Sequence, residues 1–209
     1  METVVYFLRH GETDYNVLVR IQGQSDIPLN ANGIRQAQIA GKRLQKMHFD
    51  CIYSSDLQRA AVTASYAAGT REIHYTPLLR EWFFGEWQNK QFPEIEKLFP
   101  EELKLYRAKA PSFCPNGGES TALFRKRAAD VMQMIAEKNP GQTVLCVSHG
   151  GLIRAVLQNI SDPEVFKTLP HADNTSISCF KTSDNGKSWQ LVSWNDNSHL
   201  DNCTQSEGI

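Results

Sequence analysis

Two short apolar runs, each ending abruptly in a histidine and a glycine, constrain this chain more than anything else in it. Residues 3–8, TVVYFL, are rich in β-branched and aromatic side chains and stop at Arg9-His10-Gly11. Residues 143–147, TVLCV, are almost wholly apolar and stop at Ser148-His149-Gly150-Gly151. Runs that are apolar throughout, rather than at alternate positions, mark strands buried on both faces, and such strands belong to parallel sheets covered by helices. Both runs deliver titratable side chains at a strand's carboxyl end, which is where α/β sheets bind their ligands.

The rest of the chain alternates in the same sense. Residues 9–30 are polar and turn-rich, including QGQSDIPLN, and read as a long loop of the kind that serves a site. Over Ala31–Met47 the positions Ile34, Ala37, Ala40 and Leu44 recur at helical spacing behind Asn30, a good N-cap. Cys51–Tyr53 reads as a second strand, Ser54-Ser55-Asp56 as a cap, and LQRAAVTASYAA as an alanine-rich helix. Ile73–Thr76 reads as a third strand, stopped by Pro77. Residues 82–118 differ in character: Trp82, Phe83, Phe84, Trp87, Phe92 and Phe99, with prolines and the Gly117-Gly118 pair, interrupt short helical pieces. Glu119–Lys138 is amphipathic, with Phe124, Ala128, Val131 and Ile135 on one face. LIRAVLQNI after Gly150-Gly151 is another helix, and SISCF and WQLVSW are closing strands around Asp184-Asn185-Gly186, a hairpin signature. The tail beyond Asn195 is polar. Together these predict one domain over 1–209 with a lid-like insertion at about 82–118: an α/β sandwich whose largely parallel sheet is finished by an antiparallel hairpin.

Charge and cysteine content narrow the classes of function. With 22 basic and 23 acidic residues the chain has no global field to recruit nucleic acid or an anionic membrane, so any anion must be held locally. No apolar run approaches a membrane span, and the opening Met1-Glu2 lacks the basic and apolar regions of a secretory leader. Cys51, Cys114, Cys146, Cys179 and Cys203 are odd in number without a C-x-x-C pair, which fits reduced thiols in a cytoplasmic protein. The sequons at Asn174 and Asn202 then carry no glycan.

Parallel neighbouring strands would bring Arg9, His10, Arg59 and His149 to one crevice, with Arg59 one helical turn beyond Ser55-Asp56. Singly, each has a bland reading as a satisfied core histidine, a solvated arginine or a glycine turn. Jointly, two arginines without partner acids in their motifs call for an anion between them, and guanidinium geometry suits phosphate bidentately. The backbone N–H groups at Gly150-Gly151 add a helix N-terminus to the same end. Flanking arginines would hold His10 neutral, one ring nitrogen free to attack phosphorus, while Arg9, Arg59 and His149 steady the charge on the phosphoryl oxygens. A leaving alkoxide needs a proton, and an acid beside a phosphate dianion keeps its own more readily. Glu81 and Glu86, in LLREWFFGEWQN, and after them Glu12 are the candidates, and spacing alone does not choose.

These segments resemble the histidine phosphatase superfamily, in the branch that includes the cofactor-dependent phosphoglycerate mutases. The resemblance runs through LRHGETDYN, RIQGQSDIPLNANGIRQA, IYSSDLQRAAVTA, LLREWFFGEW, VLCVSHGGLIR, DNTSIS and WNDNSHL, nearly the whole chain. It implies a three-layer α/β/α sandwich with a mixed, mostly parallel six-stranded sheet, one strand antiparallel. It also implies His10 as the phosphorylated nucleophile, Arg9, Arg59 and His149 as the phosphate pocket with Gly150 beside them, and Asn16, Gln22 and Gly23 as further phosphate or substrate contacts. Glu81 falls where the family places its proton donor. Mutases of the family resemble ERHYGxLxG after the acid and carry a longer basic segment behind it. Here Glu81 is followed by WFFGEWQN, nearer the FGEWEG of the branch's phosphatases but with Gln88-Asn89 in its last two places. Asn89 tolerates the positive φ such a turn needs, and Arg107 and Lys109 are possible basic contacts from the insertion.

The expectation is therefore a phosphomonoesterase acting on a small organic phosphate, a sugar phosphate, nucleotide or similar metabolite, through a phosphohistidine on His10. The alternative is a 2,3-bisphosphoglycerate-dependent phosphoglycerate mutase. A degenerate phosphate-binding module would lack the nucleophile, an arginine or the acid, and none is missing. Metal hydrolysis finds no H-x-x-x-H spacing among the six histidines, so neither metal nor other cofactor is expected. The partner is a small phosphate ester, with neither nucleic acid nor membrane, and the chain is a monomer or a homodimer.

Overall fold

The computed structural model describes residues 1–201; Asn202, Cys203 and the rest of the polar tail lie outside the described residues. β1 (Thr3–Arg9) leads into α1 (Asp14–Val17), a single turn inside the expected long loop, closed by a capping box between Thr13 and Asn16. α2 (Ala31–Leu44) starts where Asn30 accepts from the Gly33 N–H and ends three residues short of Met47. Its buried face is Gly33, Ala37, Ala40, Gly41 and Leu44; Ile34, expected on it, is 37% exposed. β2 (Cys51–Ser54) precedes α3 (Gln58–Ala68), and β3 (His74–Tyr75) is a two-residue, exposed remnant of the strand expected over Ile73–Thr76.

Within 82–118 lie a short 3-10 turn at Gly85–Trp87, α4 (Phe92–Leu98) and α5 (Pro100–Arg107). α6 (Thr121–Lys138) is capped by Ser120, so it begins two residues later than its amphipathic pattern suggests. β4 (Thr143–Ser148) and α7 (Gly150–Ile160) follow, then α8 (Pro163–Thr168), which periodicity did not reveal. β5 (Ile177–Thr182) and β6 (Gln190–Asp196) form the closing hairpin, with Asn185 and Gly186 both at positive φ in its loop. α9 (Ser198–Asp201) is a final turn in what reads from sequence as tail.

The sheet order is β3-β2-β4-β1-β5-β6. β4 pairs in parallel with β2 on one side and β1 on the other, and β5 alone runs against its neighbours. Two apolar layers cover it. Val5, Phe7, Val144 and Cys146 face α6 and α7, while Leu8, Leu145 and Val147 face α2 and α3. This double burial explains why the β1 and β4 runs are apolar at successive positions. A third cluster of Trp87, Ile95, Leu103 and Phe113 gives residues 82–118 an aromatic interior of their own. The register Leu8↔Val147 and Arg9↔Ser148 sets His10 and His149 at adjacent strand tips. No helix among the described residues is long and apolar enough to cross a membrane.

Candidate active site

At the tip of β1, His10 is 3% exposed, and its Nδ1 lies 2.7 Å from the Gly11 carbonyl. A carbonyl only accepts, so Nδ1 carries the proton and Nε2 carries the lone pair. Burial, followed by the charges of Arg59 and Arg9, holds this imidazole well below its ordinary value of 6.5. Asn174 secures the tip by donating to the His10 carbonyl at 3.0 Å, and the Asn16 amide oxygen is taken by Thr13. Asn174 lies in the DNTSIS segment, and its backbone-holding role becomes visible only with β5 placed beside β1.

Arg59 is fully buried near the start of α3. It donates to the Ser25 carbonyl (2.8 Å), the Gly23 carbonyl (2.7 Å) and His149 Nδ1 (3.2 Å). Three of its five N–H groups are thus used, and two remain for a ligand. Burial lowers its guanidinium to about 10, against the pull of Glu81 and Asp26. Gly23 reaches this carbonyl contact at φ 53, where any Cβ would also collide with Gln88. Gln88, one of the two departures from the family's loop, accepts the Gln24 N–H at 2.6 Å, and Asn89 takes φ 68, so the turn is kept.

His149 differs from expectation. Its Nδ1 accepts from Arg59, which fixes the proton on Nε2, and Nε2 donates to Ser55 Oγ at 2.9 Å. As the site stands, no ring N–H of His149 is left for an anion; the neutral, fully buried ring holds Arg59 instead. Its centroid is 5.1 Å from that of His10. The N-terminus of α7 is occupied in a related way. Glu81 Oε2 accepts the Gly151 N–H at 2.9 Å, and Oε1 accepts the Trp82 N–H at 2.8 Å. A Cβ at Gly151 would strike that carboxylate, and one at Gly150 would press on Arg9 Nε. The arginines therefore do share the crevice with an acid, which belongs to neither of their motifs.

Glu86 is exposed, paired to Asn116, and Glu12 accepts from Asn30 and Asn32 at the start of α2, so neither enters the crevice. A cavity of about 370 Å³ is lined by Arg9, His10, Asn16, Gln22, Gly23, Arg59, Glu81 and Gly151, among others. Arg9 donates to the Ala172 carbonyl at 2.6 Å, but its buried Nε, like the buried Gln22 Oε1, has no partner among the described residues. A second chamber of about 450 Å³ adjoins it and shares Trp82, Tyr106, Arg125 and Arg154. Arg107 and Lys109 line only this chamber, Arg107 bridged to Glu96 at 2.8 Å. No cluster of three or more His, Cys, Asp or Glu groups placed to hold a metal occurs among the described residues.

The family model for the histidine phosphatase superfamily (branch 1) matches residues 5–197, nearly the whole sheet and the crevice at its strand tips. This chain belongs to that superfamily. It is a phosphoric monoester hydrolase, as are the proteins named phosphatases among those it resembles. It is 36% identical over 204 residues to phosphoglycerate mutase-like protein 4 of Arabidopsis thaliana, covering 94% of this chain and 86% of that one. It is 34% identical over 203 residues to a metal-independent phosphoserine phosphatase of the same plant, covering 95% and 83%. Among solved structures, a phosphoserine phosphatase from Entamoeba histolytica in complex with phosphoserine superimposes with a TM-score of 0.84 at 31% identity, over 95% and 99% of the two chains. A mycobacterial glucosyl-3-phosphoglycerate phosphatase does so with 0.83 at 29% identity, over 94% and 100%.

Proposed function

We propose that this histidine phosphatase hydrolyses a small organic phosphate through a phosphohistidine formed on His10, with Glu81 as the proton donor. The observation that carries the reading is the His10 Nδ1 to Gly11 bond, which turns the unprotonated Nε2 into the nucleophile. Nε2 attacks phosphorus, the P–O ester bond breaks, and Glu81 gives its proton to the departing oxygen. Water then attacks the phosphoryl group and loses a proton to Glu81. The P–N bond breaks, and His10 recovers its lone pair as phosphate leaves. Arg9 Nε and the two spare N–H groups of Arg59 hold the equatorial oxygens, with Gln22 and Asn16 at the rim.

A wall of Trp82, Phe84 and Tyr106 beside the phosphate crevice suits an organic body carrying the phosphate, such as a phosphorylated amino acid or sugar acid. The phosphoserine and glucosyl-3-phosphoglycerate phosphatases among the relatives support that class. The mutase reading finds support in the plant mutase-like relative, but the WFFGEWQN that follows Glu81 departs from the ERHYGxLxG of the family's mutases. The test is His10→Ala assayed on p-nitrophenyl phosphate, with acid-labile, base-stable phosphate trapped on the wild type. Activity should fall by at least about a thousandfold and trapping should vanish. Retention of either would overturn the mechanism.

A further inference from the structure

Among the described residues the carboxylate of Glu81 is hydrogen-bonded by main-chain N–H groups, of Trp82 and Gly151, so its place is set by where its backbone lies. That backbone is gripped from α6. Arg127 donates to the carbonyls of Leu78 (3.0 Å), Arg80 (2.6 Å) and Glu81 (3.0 Å). Its Nε and Nη2 engage both oxygens of Glu119, at 3.0 and 2.8 Å. Glu119 in turn clasps the residues on the far side of Glu81: its N–H donates to the Phe83 carbonyl at 2.7 Å, and its own carbonyl accepts from Trp82 Nε1 at 2.7 Å. The Arg127 guanidinium also sits 5.0 Å over the Phe124 ring, on which Trp82 stacks.

Both side chains are largely buried, 14% and 15% exposed, and neither lines the crevice. An ion pair taken this far out of water is poor value for stability alone, since well-packed apolar residues often serve as well or better. What an apolar pair could not supply is five directed N–H bonds, three to the carbonyls of Leu78, Arg80 and Glu81 and two to one carboxylate. We infer that Arg127 and Glu119 are positioning residues that fix the Glu81 carboxyl against the leaving oxygen. The inference rests on the reading of Glu81 as proton donor. Neither residue touches substrate; each acts through the segment that carries Glu81.

Leaving groups separate this role from a merely structural one. Ethyl phosphate expels a strongly basic alkoxide and needs the proton, whereas 2,4-dinitrophenyl phosphate expels a stable anion and does not. The quantity to compare is kcat/KM, which reports on the steps through phosphoryl transfer to His10. Misplacing a reacting group by about 1 Å can cost about a hundredfold. Arg127→Lys and Glu119→Gln should each lower kcat/KM for ethyl phosphate by about tenfold or more and change that for the dinitrophenyl ester by less than about threefold. Glu81→Gln should show the same selectivity, and adding Glu119→Gln to it should produce no further selective loss.

If Glu81→Gln is selective but the Arg127 and Glu119 variants lower both substrates equally, or neither, the positioning role is wrong and the acid assignment stands. If Glu81→Gln itself shows no selectivity, both fall. Glu119→Gln keeps the shape of its side chain, so it decides the matter should Arg127→Lys fail to fold.

Discussion

His10 and His149 share an environment that shapes the acid stability of the whole protein. Burial first, and then the charges of Arg59 and Arg9 near both rings, hold both imidazoles well below 6.5. Just below that pH the unfolded chain takes up protons that the folded chain refuses, so stability is full above about 6.5 and declines as pH falls below it. His149→Gln, whose side-chain carbonyl can still accept from Arg59, should flatten that decline. Thermal melts at pH 5 and 7.5 check it: the wild type should lose more between the two than the variant does. At the same scale, the arrangement of the two rings separates duties that the sequence left merged. His10 keeps Nε2 for chemistry, and His149 spends both nitrogens on Arg59 and Ser55.

Among the elements, α3 is unusual in how it begins. Ser54-Ser55-Asp56 reads as its cap, yet its N-cap position is Leu57, which has no capping side chain, and Asp56 is bound to Arg80. The first N–H of the helix, Gln58, is met at 2.7 Å by Asp26 from the loop that also receives Arg59. Asp26→Ala should therefore cost about 0.5–2 kcal/mol, as losing a helix cap does, and raise KM by loosening the Arg59 carbonyl contacts. Urea unfolding and steady-state kinetics on the same sample check both.

This is also where legibility ends. β1 and β4 were evident because burial on two faces leaves a continuous apolar run, and Asn30 and the Phe124 face of α6 because local spacing encodes them. The β3 edge shrank because one exposed strand needs no apolar pattern, and α8 lacks a buried face to display. Asp26, Asn174 and the Arg127–Glu119 pair stayed hidden because each works across a sequence distance that no local pattern records. Arg127 left one trace: a charged residue adjoining the apolar face of an otherwise regular helix.

The described residues form three apolar clusters, and the one in 82–118 is distinct from the two that bind helices to the sheet, meeting one of them at Trp82. Trp87 is its largest member, fully buried with its indole N–H on Glu102 at 2.7 Å. Trp87→Ala should cost about 3–5 kcal/mol, and the loss should concentrate in hydrogen-exchange protection of α4 and α5, sparing β4. Equal loss in β4 would mean that the aromatic segment and the sheet unfold as one. Turnover should survive exhaustive EDTA treatment unchanged, because every step proposed above is carried by side chains; a loss reversed by a divalent ion would refute that.

The strand order has one last consequence, for the ribosome. The chain is delivered from its amino end, yet β4, which lies between β1 and β2, is made after both, and β1's other neighbour, β5, is made later still. A nascent chain ending before Gly151 also lacks the amide that holds Glu81. A product released before β4 is made leaves β1 and β2 with no strand between them, and it should show no phosphatase activity.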